Sequence, residues 1–275
     1  MLMLPEQWMK RWQGQDIFTQ IFALPGQVYR EQPGRKTFRY EDEGENYFIK
    51  LHYGVGWREI FKNLLHGRLP VIGAQNEFNA INRLKNLGFT ATVIGYGWRG
   101  LNPATQQSFI ITKELLYTIN LEDFCKEWKI NKPSFLLKKG LIRSVANVAR
   151  IMHNSGINHR DFYLCHFLLE MTGGPDLLCP ENLNLYLIDL HRAQVRKKVP
   201  FRWHVKDISG LYFSAMDIGL TRKDIFRFMK YYSQQSLRDT LKTNKTFWHA
   251  TQNTAIKLYK KIHRKNPLLP FKTSS

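Results

Sequence analysis

Alternating apolar and polar positions predict a β-hairpin over residues 35–51. Phe38 and Tyr40 flank Arg39, and after a turn Tyr47, Ile49 and Leu51 share one strand face, opposite Phe48 and Lys50. The polar triplet at 42–44, which ends in a glycine, supplies the turn between the two strands. The first part of the chain is therefore expected to contain an antiparallel sheet.

The remaining pattern before residue 112 predicts two helices and two further strands. Phe78, Ile81, Leu84 and Leu87 are spaced three apart, which predicts a helix over 74–87 that stops at Gly88. We also predict a short helix over 57–65 and strands over 92–96 and 108–112.

The pattern changes to helical periodicity in the second part of the chain. Residues 138–154 carry apolar positions at the 3.6-residue period, and the polar run 158–161 follows. A short strand is predicted over 185–190, and Thr221 with Asp224 forms a capping box ahead of another helix. These elements predict an α+β protein with a strand-rich lobe over 1–112 and a helical lobe over 113–275.

Composition and charge narrow the class of protein. The chain has 275 residues, of which 43% are hydrophobic, so it can bury a core and is not a disordered chain. Its net charge of +19 points to an anionic partner such as nucleic acid, an anionic membrane or a phosphorylated ligand. Residues 190–275 hold 19 Lys and Arg against 4 Asp and Glu, so the excess is concentrated there, and a solvated helical surface is the alternative explanation.

Cysteine content and hydropathy indicate the compartment. Cys125, Cys165 and Cys179 are too few and too irregular for a disulfide framework or a zinc site. The N-terminal residues 1–12 lack the features of a signal peptide, and no apolar run reaches the length of a membrane span. We therefore expect a cytoplasmic protein that can touch a membrane surface without crossing it.

Four charged residues occur in an order that suits phosphate transfer. Lys50 lies on a predicted strand, Glu77 on the following helix, Asp161 in a loop within His159-Arg160-Asp161, and Asp189 near a strand end. Phosphoryl transfer depends on positioning and charge neutralisation, which such a lysine, its glutamate partner, an Asp base and a metal-binding Asp would supply. In this order and context the sequence resembles a protein kinase-like fold. Each residue taken alone also fits an ordinary structural role.

A more specific resemblance covers the chain from about Trp12 to Lys261. The segments around Asn158-His159-Arg160-Asp161 and Leu187-Ile188-Asp189, together with 62–65, 70–81 and 206–221, resemble the lipopolysaccharide core heptose(I) kinase family. This resemblance implies transfer of the γ-phosphate of ATP, with Mg²⁺, to heptose I of a lipopolysaccharide core precursor in Gram-negative bacteria. It also implies Asp161 as the catalytic base, Asp189 as a Mg²⁺ ligand, Lys50 as the phosphate-binding lysine, and Glu77 as its partner.

Several positions depart from the general kinase pattern. His166 stands where kinases carry the asparagine that holds a second metal, so it is either an altered metal or phosphate contact or a packing residue. His191 stands where the metal motif of kinases carries a glycine. Gly34 is the only glycine at the position of the glycine-rich loop. Next to it, Arg35 or Lys36 is either a phosphate contact or an exposed turn residue.

Residues outside these motifs also receive predicted roles. Asp207 is expected to begin a helix and to bond the backbone of the catalytic loop. The basic last third is expected to face the acidic acceptor and an anionic inner-leaflet membrane surface, which would place the protein peripherally on the inner face of the cytoplasmic membrane. Trp203, Trp8 and Trp12 are candidate interfacial anchors, with burial the alternative.

Four other functions stay open. The residue types of a 2-His-1-carboxylate iron site are present in His159 and Asp161, with His191 or His204 as the second histidine. A basic nucleic-acid-binding protein would fit the charge, although no aromatic nucleic-acid motif is present and no nucleic acid is expected. A pseudokinase is the other non-enzymatic alternative, although it would usually lack the lysine, the base or the metal-binding residue, and all three are present. A kinase-like enzyme acting on another sugar, small molecule or protein is the nearest alternative.

Overall fold

The structure is a computed structural model that describes residues 1–67 and 70–270. Residues 271–275, at the end of the predicted helical lobe, lie outside the described residues. The chain divides into two compact units. The first contains Met1–Lys85, Ala91–Leu115 and Leu190–Arg192, and the second contains Asn86–Thr90, Leu116–Asp189 and the described residues from Ala193 onward.

The first unit is built on a six-stranded antiparallel sheet in the order β1-β5-β6-β4-β3-β2. Its strands are β1 (Leu2–Met3), β2 (Gln27–Gln32), β3 (Arg35–Asp42), β4 (Glu45–His52), β5 (Val93–Arg99) and β6 (Gln107–Lys113). The hairpin predicted over 35–51 is confirmed as β3 and β4. Glu43 and Gly44 both have positive φ, as a two-residue hairpin turn requires.

Four helices accompany this sheet. They are α1 (Glu6–Arg11), α2 (Ile17–Phe22), α3 (Gly56–Leu65) and α4 (Gln75–Leu84), and a 3₁₀ turn at Lys85–Leu87 completes the helix predicted over 74–87. The pattern did not predict α1, α2, β1 or β2, because none is longer than six residues, which is too short for a period to be recognised.

Trp8 and Trp12 are core residues, so the alternative of burial is confirmed for them and the candidate role as interfacial anchors is wrong. Trp8 is fully buried and packs with Trp12, Phe38 and Ile49 in the core of the first unit. Its indole Nε1 donates a 2.8 Å hydrogen bond to Asp42. A buried indole whose N–H is satisfied contributes packing area to the core and is not available to a membrane.

The second unit is mainly helical. Its helices are α5 (Leu121–Phe124), α6 (Phe135–Asn154), α7 (Phe201–Ser214), α8 (Arg222–Ser233), α9 (Leu237–Thr243) and α10 (Lys245–His263). Its strands are β7 (Thr118–Asn120), β8 (Ile157–Asn158), β9 (Phe167–Glu170), β10 (Leu185–Leu187) and β11 (Gln194–Val195). They form a three-stranded antiparallel sheet, β10-β9-β7, and the pair β11-β8.

The elements around the polar loops match the sequence pattern in part. The predicted capping box is present, because Thr221 and Asp224 bond each other's backbone at the start of α8. The strand expected over 185–190 ends at Leu187 and is followed by a 3₁₀ turn at Leu190–Arg192. Asp207 lies in the middle of α7, so the expectation that it begins a helix is wrong.

Across the described chain, no helix has the length and apolar content needed to span a bilayer.

Candidate active site

Lys50 is positioned by the alternation of β4. Ile49 and Leu51 are fully buried in the core, so the side chain of Lys50 projects from the opposite face of the sheet. Lys50 is paired with Thr37 on β3 and Ile110 on β6, which places it in a central strand. A central strand holds this ammonium group more firmly than a loop would.

Glu77 lies in the first turn of α4 and contacts Lys50 directly. The Lys50 Nζ donates a 2.6 Å hydrogen bond to Glu77 Oε1, and the Glu77 side chain is only 5% exposed. The Phe78 ring stacks on Tyr96 of β5 at 4.0 Å, and the Ala74 amide donates to the Ser108 hydroxyl, so the start of α4 is fixed against the sheet. The first unit therefore presents a rigid, partly buried lysine–glutamate pair.

In the second unit, Asp207 holds the loop that follows β8. Its two carboxylate oxygens accept hydrogen bonds from the backbone N–H groups of His159 at 2.7 Å and Arg160 at 2.8 Å. Asp207 is fully buried. The prediction that Asp207 bonds the backbone of the loop carrying Asp161 is confirmed.

A chain of polar side chains, buried at Asp207 and His153 and half-buried at Tyr232 and His204, extends from Asp207 towards α8. His153 Nε2 lies 3.3 Å from Asp207 Oδ2, and its Nδ1 lies 2.8 Å from the Tyr232 hydroxyl. That hydroxyl also lies 2.9 Å from His204 Nδ1. Burial lowers the pKa of His204 to about 4, so this ring is neutral near pH 7. The sequence indicated none of these partners, since they lie on three separate helices.

His159 links the loop that carries Asp161 to the loop that carries Asp189. Its Nε2 donates to the carbonyl of Ile188 at 3.1 Å, which holds the backbone immediately before Asp189. Burial lowers the pKa of His159, so the ring is neutral. Arg160 and Asp189 both have positive φ, at 77° and 61°. Non-glycine residues in this region are strained, and such strain is concentrated at functional loops.

His166 is placed between the two candidate carboxylate residues. Its Nδ1 lies 2.6 Å from the backbone carbonyl of Asp161, and its Nε2 lies 3.6 Å from the Asp189 carboxylate. A carbonyl only accepts, so the proton in this contact belongs to Nδ1. His166 therefore contacts the Asp161 backbone through one ring nitrogen and lies near the Asp189 carboxylate with the other.

The iron-site alternative gains no support from these contacts. His159 is engaged with Ile188 and His204 with Tyr232. Within residues 1–67 and 70–270, no group of three or more His, Cys, Asp or Glu side chains is arranged to hold a metal ion on its own.

The first unit pairs a lysine on the sheet, Lys50, with a glutamate on a helix, Glu77. In the second unit, the buried Asp207 holds the loop that carries Asp161. These features are typical of protein kinase-like phosphotransferases. A family model described as the lipopolysaccharide kinase (Kdo/WaaP) family matches residues 19–232. The chain belongs to this family.

Individual relatives match almost the whole chain. It is 48% identical over 257 residues to the lipopolysaccharide core heptose(I) kinase WaaP of Escherichia coli (strain K12), covering 92% of this chain and 95% of the relative. It is 46% identical to the protein of the same name from Pseudomonas aeruginosa, covering 98% of this chain and 99% of the relative.

A solved structure is similar as well. The structure described as WaaP in complex with acyl carrier protein has a TM-score of 0.81 and 42% identity, covering 94% of this chain and 99% of that one. The predicted family and the predicted kinase-like fold, with a strand-rich N-lobe and a helical C-lobe, are confirmed.

Proposed function

We propose that this protein transfers the γ-phosphate of ATP to heptose I of the lipopolysaccharide inner core. The observation that carries this proposal is 46–48% identity, over nearly the full length, to proteins named as lipopolysaccharide core heptose(I) kinases. The contacts around Lys50 and Asp161 supply residues of the required chemistry.

The proposed roles follow from the charges of the side chains. Lys50, oriented by Glu77, neutralises phosphate oxygens of the nucleotide. Asp161 accepts the proton of the heptose hydroxyl while the hydroxyl oxygen forms a bond to the γ-phosphorus. The bond from that phosphorus to the β-phosphate oxygen breaks, and ADP leaves with the electron pair. His159 and Asp207 keep the Asp161 loop in position.

Asp189 and His166 are the proposed Mg²⁺ ligands, and their contacts fit a cation. The His166 Nε2 lies 3.6 Å from the Asp189 carboxylate, so the two side chains are close enough to contact one cation. Mg²⁺ is usually held by one or two protein ligands together with phosphates and water, so a larger ligand cluster is not required. Bound there, Mg²⁺ would neutralise charge on the transferred phosphate.

Glu77→Gln is expected to raise the KM for ATP by roughly tenfold, because the amide holds the Lys50 ammonium less strongly than the carboxylate does. The measurement is steady-state kinetics with varied ATP. The matched control is Glu45→Gln, which alters the half-exposed Glu45–Lys113 pair in the same unit and should leave the KM unchanged. An unchanged KM in Glu77→Gln would remove the proposed role of this pair.

Asp189→Ala is expected to abolish the Mg²⁺-dependent part of nucleotide binding. The loss should be measured by calorimetry with ATP, in the presence of Mg²⁺ and of EDTA. Wild-type affinity should fall in EDTA, whereas the variant should show the same weak affinity in both conditions. If Mg²⁺ still tightens nucleotide binding to the variant, Asp189 is not the ligand.

The substrate is tested in cells. Mass spectrometry of the lipopolysaccharide core from a strain lacking this chain should show the loss of one phosphate from heptose I. The phosphate should return with the wild-type gene and should not return with Asp161→Ala. An unchanged phosphate count on heptose I would contradict the proposed acceptor and favour a kinase for another sugar, small molecule or protein.

We propose peripheral association with the anionic inner face of the cytoplasmic membrane, since the acceptor is a lipid-linked sugar. The basic residues near the end of α10, among them Lys257, Lys260 and Lys261, would each contribute about 1 kcal/mol near such a surface.

We also propose acyl carrier protein as a partner, because the similar solved structure is described as a complex with it. The specific observation is an apolar cavity of about 730 Å³ in the second unit, lined among others by Val145, Leu211, Ile225 and Met229. A cavity of this size and polarity can accept an acyl chain. Pull-down with acyl-loaded carrier protein should therefore exceed pull-down with the unacylated form, and equal capture of both would contradict a role for the cavity.

A further inference from the structure

Helix α3 presents large apolar side chains to solvent. Trp57 is 49% exposed, Phe61 57%, Leu64 49% and Leu65 86%. Their positions follow the spacing i, i+4, i+7, i+8, which places all four on one face of the helix. Ile60, at the edge of this face, is the buried residue of α3. The helix therefore packs on its unit along one edge and leaves a broad apolar face uncovered, which we call the α3 face.

The aromatic residues of the α3 face are organised among themselves. The rings of Trp57 and Phe61 stack at a centroid distance of 5.7 Å. This stacking restricts both rings while they remain half-exposed, so the face is ordered before anything binds. Trp in such a position is typical of the region where lipid headgroups meet acyl chains.

Positive charge borders the α3 face. Arg58 and Lys62 are exposed and lie four residues apart, on the polar side of the helix. Glu59 is the one acidic residue of α3, and its carboxylate contacts Asn63 and Lys62. The Lys62–Glu59 pair is exposed at 3.6 Å, so it neutralises Lys62 only weakly. An apolar face with a cationic border matches a bilayer that contains anionic lipids.

The size of the α3 face argues against a second protein as its occupant. A ten-residue helix is about 15 Å long, and stable protein–protein interfaces bury roughly 800 Å² on each partner. Four side chains on one such helix supply only part of that area. A lipid surface sets no minimum area and gains from each apolar group that inserts.

We propose that α3 is an interfacial helix that inserts Trp57, Phe61 and Leu65 into the surface of an anionic bilayer. The proposal rests on the proposed function to the extent that a lipid-linked acceptor requires the enzyme to work at a membrane. It assigns a membrane contact to the first unit, in addition to the one proposed for the basic residues of α10.

The test measures vesicle binding by sedimentation. Wild-type protein should bind vesicles of phosphatidylglycerol and phosphatidylethanolamine more tightly than vesicles of phosphatidylcholine alone. Trp57→Ser with Phe61→Ser should weaken binding to the anionic vesicles by roughly tenfold or more. Arg58→Glu with Lys62→Glu should reduce the preference for anionic vesicles. The matched control is Leu101→Ser with Ile130→Ser, since these side chains are 94% and 78% exposed and lie outside α3.

A conservative variant gives a second measurement that does not depend on the serine variants remaining folded. Brominated lipids should quench part of the tryptophan fluorescence of the wild-type protein. Trp57→Phe keeps the aromatic face and should keep vesicle binding, yet it should lose that quenched fraction.

The outcomes separate this proposal from the proposed function. Phosphate transfer to a detergent-solubilised acceptor should be unchanged in the Trp57/Phe61 double variant. If the wild-type protein transfers no phosphate to this acceptor, the proposed function is contradicted, whereas the result of the vesicle experiment still stands. Equal vesicle binding by wild type and double variant would overturn the α3 proposal. So would a double variant that binds vesicles normally but loses self-association or capture of acyl carrier protein.

Discussion

Asp161→Ala is expected to lower kcat for phosphate transfer by roughly 10²–10⁴-fold, the usual contribution of a general base. The carboxylate is the group that would take the proton from the heptose hydroxyl, and alanine cannot replace it. Because Asp161 is a half-buried loop residue, its removal should change the thermal midpoint little.

Two controls make this result specific. Nucleotide affinity should stay at the wild-type value, since the proposed nucleotide contacts are other residues. Asp217→Ala serves as the matched variant, because Asp217 is an exposed carboxylate of the same unit that accepts a hydrogen bond from Tyr259. A kcat for Asp161→Ala within about threefold of wild type would remove Asp161 from the mechanism.

Asp207→Ala is expected to have the largest effect on stability. It would leave the buried N–H groups of His159 and Arg160 without their acceptor, at a cost of about 1–3 kcal/mol each. The sum is a large fraction of the 5–15 kcal/mol that typically stabilises a domain. Activity should fall as well, because the loop carrying Asp161 would lose its anchor.

Denaturant unfolding of Asp207→Ala and Asp207→Asn measures this effect. The asparagine variant keeps the size of the side chain and one acceptor oxygen, so its loss should lie between those of alanine and wild type. Asp217→Ala again provides the comparison and should cost less, because it removes a single part-buried hydrogen bond rather than the two buried ones that Asp207 accepts. Equal stability of Asp207→Ala and Asp217→Ala would show that the loop does not depend on Asp207.

The local pattern predicted those elements whose periodicity is strong. The hairpin β3–β4, the helices α4 and α6 and the capping box at Thr221 were all expected and are all present. The spacing also placed Lys50 on a strand face opposite the core. Short elements such as α1 and α2 were missed, because a few residues do not establish a period.

The sequence likewise predicted the candidate residues that lie within recognisable motifs, and it left the role of one of them open. The order Lys50, Glu77, Asp161 and Asp189, with their surrounding motifs, was sufficient to predict the family that the comparisons then identified. Their catalytic roles remain predictions for the experiments above. The role of His166 was left open between a metal or phosphate contact and packing, and with Nε2 3.6 Å from the Asp189 carboxylate it stays a prediction.

The sequence by itself thus determined the class of fold, the family and the set of candidate catalytic residues, because helix and strand periods and contiguous motifs are properties of neighbouring positions. Only the tertiary structure decided that Trp8 is buried, that His153 and Tyr232 support Asp207, and that the apolar face of α3 is left uncovered. Partners in these contacts are separated by as many as 79 positions. Whether an apolar or polar side chain is covered depends on which distant segments pack against it, and a local pattern carries no information about that packing.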